Sequence, residues 1–226
     1  MTDRLILTLG ILGGTGKEGR GLAGRWAQAG YHVIIGSRSI DKAVDSARDV
    51  NTRLGSELVR GMLNEAAARA CDIAVLTVPF AAHMATLQTV REALQGKVLV
   101  DVTVPVVPPD VAVVHPPAAG SAAQEAQAML GPKVQVVSAF QNVSHTHLTG
   151  GHPVPCDVLV SADSQAARDQ VLHLVSAAGL VGWDAGPLQN SIAAEALTAV
   201  LVGINKRYKI SGAGIRITGE SKAPGA

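Results

Sequence analysis

The stretch Gly13-Gly14-Thr15-Gly16-Lys17-Glu18-Gly19 decides the fold of this chain. It follows an apolar run at 5–12 (LILTLGIL) that reads as a strand, and a helical pattern starts at 17. Within it Gly14, Gly16 and Gly19 spell G-x-G-x-x-G. The first glycine is expected to allow the tight turn, the second to let the backbone approach a pyrophosphate, and the third to let the helix sit close to the strand. The free N–H groups around Thr15, Gly16 and Lys17, at the start of that helix, then face the phosphates. A chain with 24 glycines produces chance triplets, so the meaning comes from the setting between strand and helix.

Outward from this turn, short β-rich runs alternate with helical stretches, the pattern of a parallel sheet with crossover helices. Strands are predicted at 31–36, 57–61, 72–78, 97–102 and 134–138, with helices near 17–29, 40–54, 64–70, 82–95 and 121–130. Five prolines at 104–120 predict a long loop, because Pro lacks the ladder N–H and disfavours helix at the residue before it. A second irregular segment is expected at about 141–155. Beyond it a strand (157–163), a helix (164–178), a strand (180–185) and an apolar helix (190–206) suggest a small second lobe. The expected fold is α/β: a Rossmann-type, doubly wound, mainly parallel sheet over 1–150, a C-terminal α/β lobe over 151–219, and a frayed tail at 220–226.

Composition agrees. The 226 residues are 47% apolar and only 3% aromatic, and small aliphatic side chains suit parallel strands buried on both faces. Nineteen Lys plus Arg against eighteen Asp plus Glu give a formal charge of +1 with no basic stripe, so no nucleic-acid partner is expected. Two cysteines cannot build a disulfide framework, and residues 1–20 lack the apolar stretch of a secretory signal. No uncharged apolar run approaches ~18 residues, so no membrane span is expected. A reducing, cytoplasmic setting follows.

The end of the second strand selects the dinucleotide. An NAD-preferring site places Asp or Glu there to bind the ribose 2′-hydroxyl, whereas this chain has Gly36-Ser37-Arg38-Ser39. Ser37 and the Arg38 guanidinium can donate to a 2′-phosphate, and Lys42, one turn along the next helix, adds a third contact. NADP(H) is the expected cofactor.

Together, the GGTG turn at 13–16, the GSR at 36–38, CDIAVLTVP at 71–79 with His83 soon after it, and DAGPL at 184–188 followed by EALT at 195–198 resemble the F420-dependent NADP reductases. The resemblance covers about 8–217. It implies hydride transfer between NADP(H) and the 8-hydroxy-5-deazaflavin coenzyme F420, a second substrate. It also places Thr15 and its neighbouring glycines on the pyrophosphate, and Ser37 and Arg38 on the 2′-phosphate. Thr77, Val78 and Pro79 would lie beside the nicotinamide half of NADP, with His83 nearby. The deazaflavin would stack over Ala139, Gln141, Asn142 and Val143, with Thr198 of the last helix facing it. Gln141 and Ala196 depart from the archaeal members, which carry His and Ser there.

Direct hydride transfer needs two rings stacked at the right distance and shielded from water, so no catalytic acid or base is named. Two other readings share the fold: an NADP-dependent reductase of a small carbonyl, imine or metal chelate, and a non-catalytic NADP-binding module. His145, His147, His152 and Cys156 offer zinc-ligand chemistry at a spacing that fits no standard site, so no metal is expected. Cys71, Trp26 and Trp183 read as packing residues. The apolar run at 196–204 should be buried in the lobe or in a homodimer interface.

Overall fold

A computed structural model describes residues 7–149 and 152–219. Residues 5 and 6 of the predicted first strand, the predicted boundary at 150/151 and the predicted tail at 220–226 lie outside the described residues. The first half runs β1 (Thr8–Leu12), α1 (Lys17–Gln28), β2 (His32–Ser37), α2 (Ile40–Leu54), β3 (Val59–Leu63), α3 (Asn64–Ala70), β4 (Ile73–Leu76), α4 (His83–Val90), β5 (Val98–Asp101), α5 (Ala122–Leu130) and β6 (Gln135–Ser138). All six strands pair in parallel, in the order β3-β2-β1-β4-β5-β6. The order reverses between β1 and β4, and the crevice outside the carboxyl ends of these strands is where such sheets bind ligands.

Local sequence explains the element ends. Ser39, Ser121 and Ser164 cap the helices that follow them, each side-chain oxygen accepting from a backbone N–H three residues on. Gly55 ends α2 in the left-handed conformation. The central strands are apolar on both faces: Leu9, Ile11, Ile34, Val75 and Leu99 are fully buried, as a sheet covered by helices on each side requires.

The chain continues with α6 (His145–Leu148), β7 (Asp157–Val160), α7 (Gln165–Ala177), β8 (Val181–Asp184) and α8 (Ser191–Tyr208). The short α6, capped by Ser144, falls inside the segment predicted to be irregular. β7 and β8 form their own two-stranded parallel sheet, tied to β6 by an antiparallel bridge between Ser138 and Ser161. One apolar cluster runs from Leu22 and Trp26 of α1 through Phe140 to Val158, Leu174 and Val175. Trp26 Nε1 donates to Leu174 O at 2.9 Å, and its ring meets Phe140 edge to face at 5.8 Å. Trp183, by contrast, sits half out of the surface and donates to Asp157.

Residues 104–120 carry no helix or strand, as their prolines predict. This loop lies along α8, where Val106, Val114 and Pro116 face Ile192, Glu195 and Ala199. Among the described residues no helix is long and apolar enough to cross a membrane.

Candidate functional site

A cleft of about 720 Å³ opens over the carboxyl ends of β1, β2, β4 and β5. Its wall begins at the glycine turn. Gly13 holds the left-handed backbone (φ 72°) that turns the chain, and its N–H donates to Asn64 Oδ1 at 3.1 Å. The turn residue is therefore Gly13; Gly14 has no room for a Cβ, which would stand 2.8 Å from Ile11 O. A Cβ on Gly19 would overlap Gly14 Cα at 2.6 Å, which is why α1 can pack so close to the strand. Gly16 is different: a Cβ there would meet no protein atom within 4 Å and would project into open space. Thr15, Gly16 and Lys17 line the cleft at the start of α1, where backbone N–H groups have no partner within the helix.

Ser37, Arg38, Ser39 and Lys42 form one end of the cleft. Ser37 Oγ accepts from Ser39 N at 3.2 Å, which folds the β2–α2 connection into a bowl. Arg38 and Lys42 are exposed and, among the described residues, neither pairs with a carboxylate. Such a bowl presents two mobile cations and a hydroxyl to an anion. The other end is made by Thr77, Val78 and Pro79 after β4 and by Val102, Thr103 and Val104 after β5.

The remaining predicted residues form a second group behind this second end. His83 is fully buried and its Nε2 lies 2.7 Å from Asp101 Oδ2. Gln141 Nε2 donates to Asp101 O at 2.7 Å. Asn142 Nδ2 donates to Ala194 O and to Thr198 Oγ1, and Thr198 Oγ1 donates to Gln141 O at 2.8 Å. A continuous hydrogen-bonded chain thus joins α4, β5, the 139–143 segment and α8. Ala139 and Val143 are buried beside it, and Phe140 between them takes a left-handed φ of 74°, a conformation that costs about 1–3 kcal/mol in a bulky residue.

Three carboxyl or imidazole groups here are displaced from their ordinary values. Burial raises Glu18, on the first turn of α1 and lining the cleft, to about 8. Burial likewise raises Glu195 on α8 to about 8, against the opposing pull of the Ala122 and Ala123 N–H groups. Burial pushes the His83 imidazole down, but the hydrogen bond to Asp101 and the carboxylates of Asp101, Glu125 and Glu195 outweigh it, so the net shift is upward.

Asp101, Thr103, Asn64 and Glu18 escaped the sequence reading. Only Glu18 lay inside a motif, and the other three acquire their roles through contacts 18 to 51 residues away or by closing a strand. The predicted histidine loop makes contacts to protein groups. His147 Nε2 bonds Gly212 O and Cys156 packs against Asn142 O; among the described residues no three His, Cys, Asp or Glu converge on a metal position.

The comparisons agree with this geometry. A family model described as NADP oxidoreductase, coenzyme F420-dependent, matches residues 8–105. An F420-dependent NADP reductase of Methanothermobacter marburgensis is 40% identical over 225 residues, covering 94% of this chain and 98% of the relative. The chain belongs to the F420-dependent NADP reductases. The family's Methanocaldococcus jannaschii enzyme is 37% identical, with 94% of this chain and 98% of that one covered. A solved structure from Arthrobacter sp. FB24, 24% identical, covers 94% of this chain and 99% of its own with a TM-score of 0.78, so this F420-dependent NADP reductase shares its fold.

Proposed function

We propose that the protein transfers a hydride between NADP(H) and the deazaflavin coenzyme F420. One observation carries this reading: a single cleft joins a cationic bowl at Arg38 and Lys42 to the glycine turn and to the strand ends at Thr77 and Thr103. Its residues fit the cofactor. The start of α1, with open space at Gly16, receives the pyrophosphate; Ser37, Arg38 and Lys42 hold the 2′-phosphate; Thr77, Val78 and Pro79 flank the nicotinamide. Gly14 and Gly19 support the turn from behind. The deazaflavin stacks on the nicotinamide against a wall that Ala139, Gln141, Asn142, Val143 and Thr198 support from behind, since these residues pack on one another, with Thr198 Oγ1 2.8 Å from Gln141 O, and do not line the cleft.

Nicotinamide and deazaflavin supply the hydride chemistry when bound, from C4 of one ring to C5 of the other, with a proton taken from or given to solvent. The protein's part is to orient the rings and exclude water. His83 acts from behind the wall, since its ring does not reach the cleft.

The assay is direct. NADPH and oxidised F420 are mixed with the protein and the loss of the deazaflavin absorbance is followed; no change above background overturns the proposal.

The same reading includes a homodimer and a cytoplasmic setting, where both cofactors diffuse freely. Supporting the dimer, Ala199 and Leu201 of the apolar run at 196–204 are buried, whereas Val200 and, earlier on α8, Ile192 are more than 40% exposed, and Val114 of the proline-rich loop lies beside Ile192. Ile192→Lys combined with Val200→Lys should convert a dimer to a monomer in light scattering, and a wild-type mass of one chain would refute it.

A further inference from the structure

Asn64, the first residue of α3, stands where the carboxyl ends of three strands meet. Its Oδ1 accepts from Gly13 N at 3.1 Å, just beyond β1. At β2, a Cβ on Gly36 would lie 2.8 Å from the same oxygen, so the glycine of the GSR segment leaves the amide its room. On β3, Asn64 follows Leu63, which is in register with Ser37. The residue is nine-tenths buried and still lines the cleft. Because Gly13 offers an N–H, the atom that meets it must be the amide oxygen, which settles the orientation of the group. Asn64 Nδ2 has no protein partner among the described residues and, unlike the orphaned Ser138 Oγ, is not sealed from solvent. One free amide donor thus opens on the cleft, held from behind by the turn.

Both phosphate positions of the proposed function adjoin this donor: the cationic bowl begins at Ser37, next to Gly36, and the glycine turn begins at Gly13. In NADP(H) a single group joins those two anions, the adenosine ribose, which carries one phosphate on its 2′ oxygen and the pyrophosphate on its 5′ oxygen. Its 3′-hydroxyl is the polar substituent left free. We propose that Asn64 is a specificity-determining residue that reads this ribose: Nδ2 donates to the 3′-hydroxyl oxygen while Oδ1 holds the turn. This inference rests on the cleft being an NADP(H) site. An amide suits that cofactor. NAD-preferring sites put a carboxylate at the ribose to accept from its hydroxyl, whereas here the 2′ oxygen is esterified and a neutral donor does not repel the phosphate on it. The bond to Gly13 orients the amide beforehand, so little order is lost on binding.

The test is calorimetry with adenosine 2′,5′-bisphosphate and its 3′-deoxy analogue, which differ only in that hydroxyl. Wild type should bind the hydroxylated ligand about fivefold more tightly, the worth of one ordinary hydrogen bond. In Asn64→Ala both ligands weaken because Gly13 loses its acceptor, but their ratio should fall to about one. A merely structural role would lower both affinities and keep the ratio. Equal affinities in wild type, or the wild-type ratio in Asn64→Ala, overturns the inference. Asn64→Asp keeps an acceptor for Gly13 in the same shape, which guards against a variant that fails to fold. Its carboxylate faces the 2′-phosphate, so the bisphosphate should bind about tenfold or more weakly, whereas adenosine 5′-monophosphate, with two hydroxyls free to donate, should hold within about twofold. Equal losses for those two ligands overturn the ribose contact. All of this is read without F420. Should wild type show the ratio but fail to reduce F420, the hydride-transfer reading falls and this inference stands; should wild type bind the bisphosphate without the ratio, the inference falls and the NADP(H) reading stands.

Discussion

Glu195 on α8 accepts from Ala122 N at 2.6 Å with Oε2 and from Ala123 N at 3.1 Å with Oε1, so one buried carboxyl caps α5 from 72 residues away. The cap joins the last helix to α5 and so to the six-stranded sheet. It also makes stability depend on pH. The folded-state value of about 8 lies above the ordinary glutamate value of 4.5, so the folded protein binds the proton more tightly than the unfolded chain. The contribution is fully present below about 4.5 and is lost as pH rises towards and through 8, about 5 kcal/mol at most. His83 has the same sign, since its value is also raised. Glu195→Gln keeps an acceptor for α5 and removes the titration. Its melting temperature should exceed wild type at pH 8.5 and match or trail it at pH 5.5; parallel curves across that range would contradict the assignment.

Arg38 and Lys42 lack carboxylate partners among the described residues, which leaves their charge for a ligand. Arg38→Ala should raise the KM for NADPH by about 10- to 100-fold and the KM for NADH by little, a charge-assisted contact being worth about 1.5–3 kcal/mol. Equal effects on the two cofactors would show that Arg38 does not read the 2′-phosphate.

Two glycines of one turn should separate binding from folding. Gly16→Ala places a methyl in open space at the proposed pyrophosphate site, so NADPH affinity should fall about tenfold or more with little change in melting temperature. Gly19→Ala drives a methyl into Gly14, and the loss should appear as lowered stability before any ligand is added. Melting curves and NADPH titrations on both variants check the pair; the reverse pattern would mean that the turn does not hold phosphate.

Arg25 is nine-tenths buried and, among the described residues, pairs with no carboxylate; its guanidinium donates to the carbonyls of His147, Leu148, His152 and Ala178. These contacts pin the histidine loop against α1 and α7. Arg25→Met should cost about 2–4 kcal/mol, because the carbonyls lose charge-assisted donors, and Arg25→Lys should recover only part, since an ammonium cannot span four acceptors. Urea unfolding measures both; a full recovery with Lys would reduce the contact to charge alone.

Arg25 also shows where sequence reading stops. The alternation of strands and helices, the glycine turn and the GSR bowl were legible because their signals are local: apolar runs of strand length, glycines at fixed spacing, a serine before a helix. Arg25 in KEGRGLAGRWAQ looks like any helix-surface cation, and its acceptors lie 122 to 153 residues away. Asp101 looks like the polar end of VLVD, and Glu195 like one charge in an apolar helix; the fold alone brings each to its partners. α6 was hidden for another reason, being a single turn held by a serine cap in a segment rich in turn formers.

Glu18 couples the phosphate turn to pH. It stands on the first turn of α1 and lines the cleft with Thr15 and Lys17, and burial holds its carboxyl protonated up to about 8. Near pH 7 a pyrophosphate bound as proposed would therefore meet a neutral neighbour. Above pH 8 the group ionises, and an anion beside the phosphates opposes binding, so the Kd for NADPH should rise between pH 7 and 9 and binding in that range should take up a proton. In Glu18→Gln the Kd should stay flat over the same interval. Calorimetry in two buffers of different ionisation enthalpy reads both the affinity and the proton count, and identical pH profiles for variant and wild type would remove Glu18 from the account.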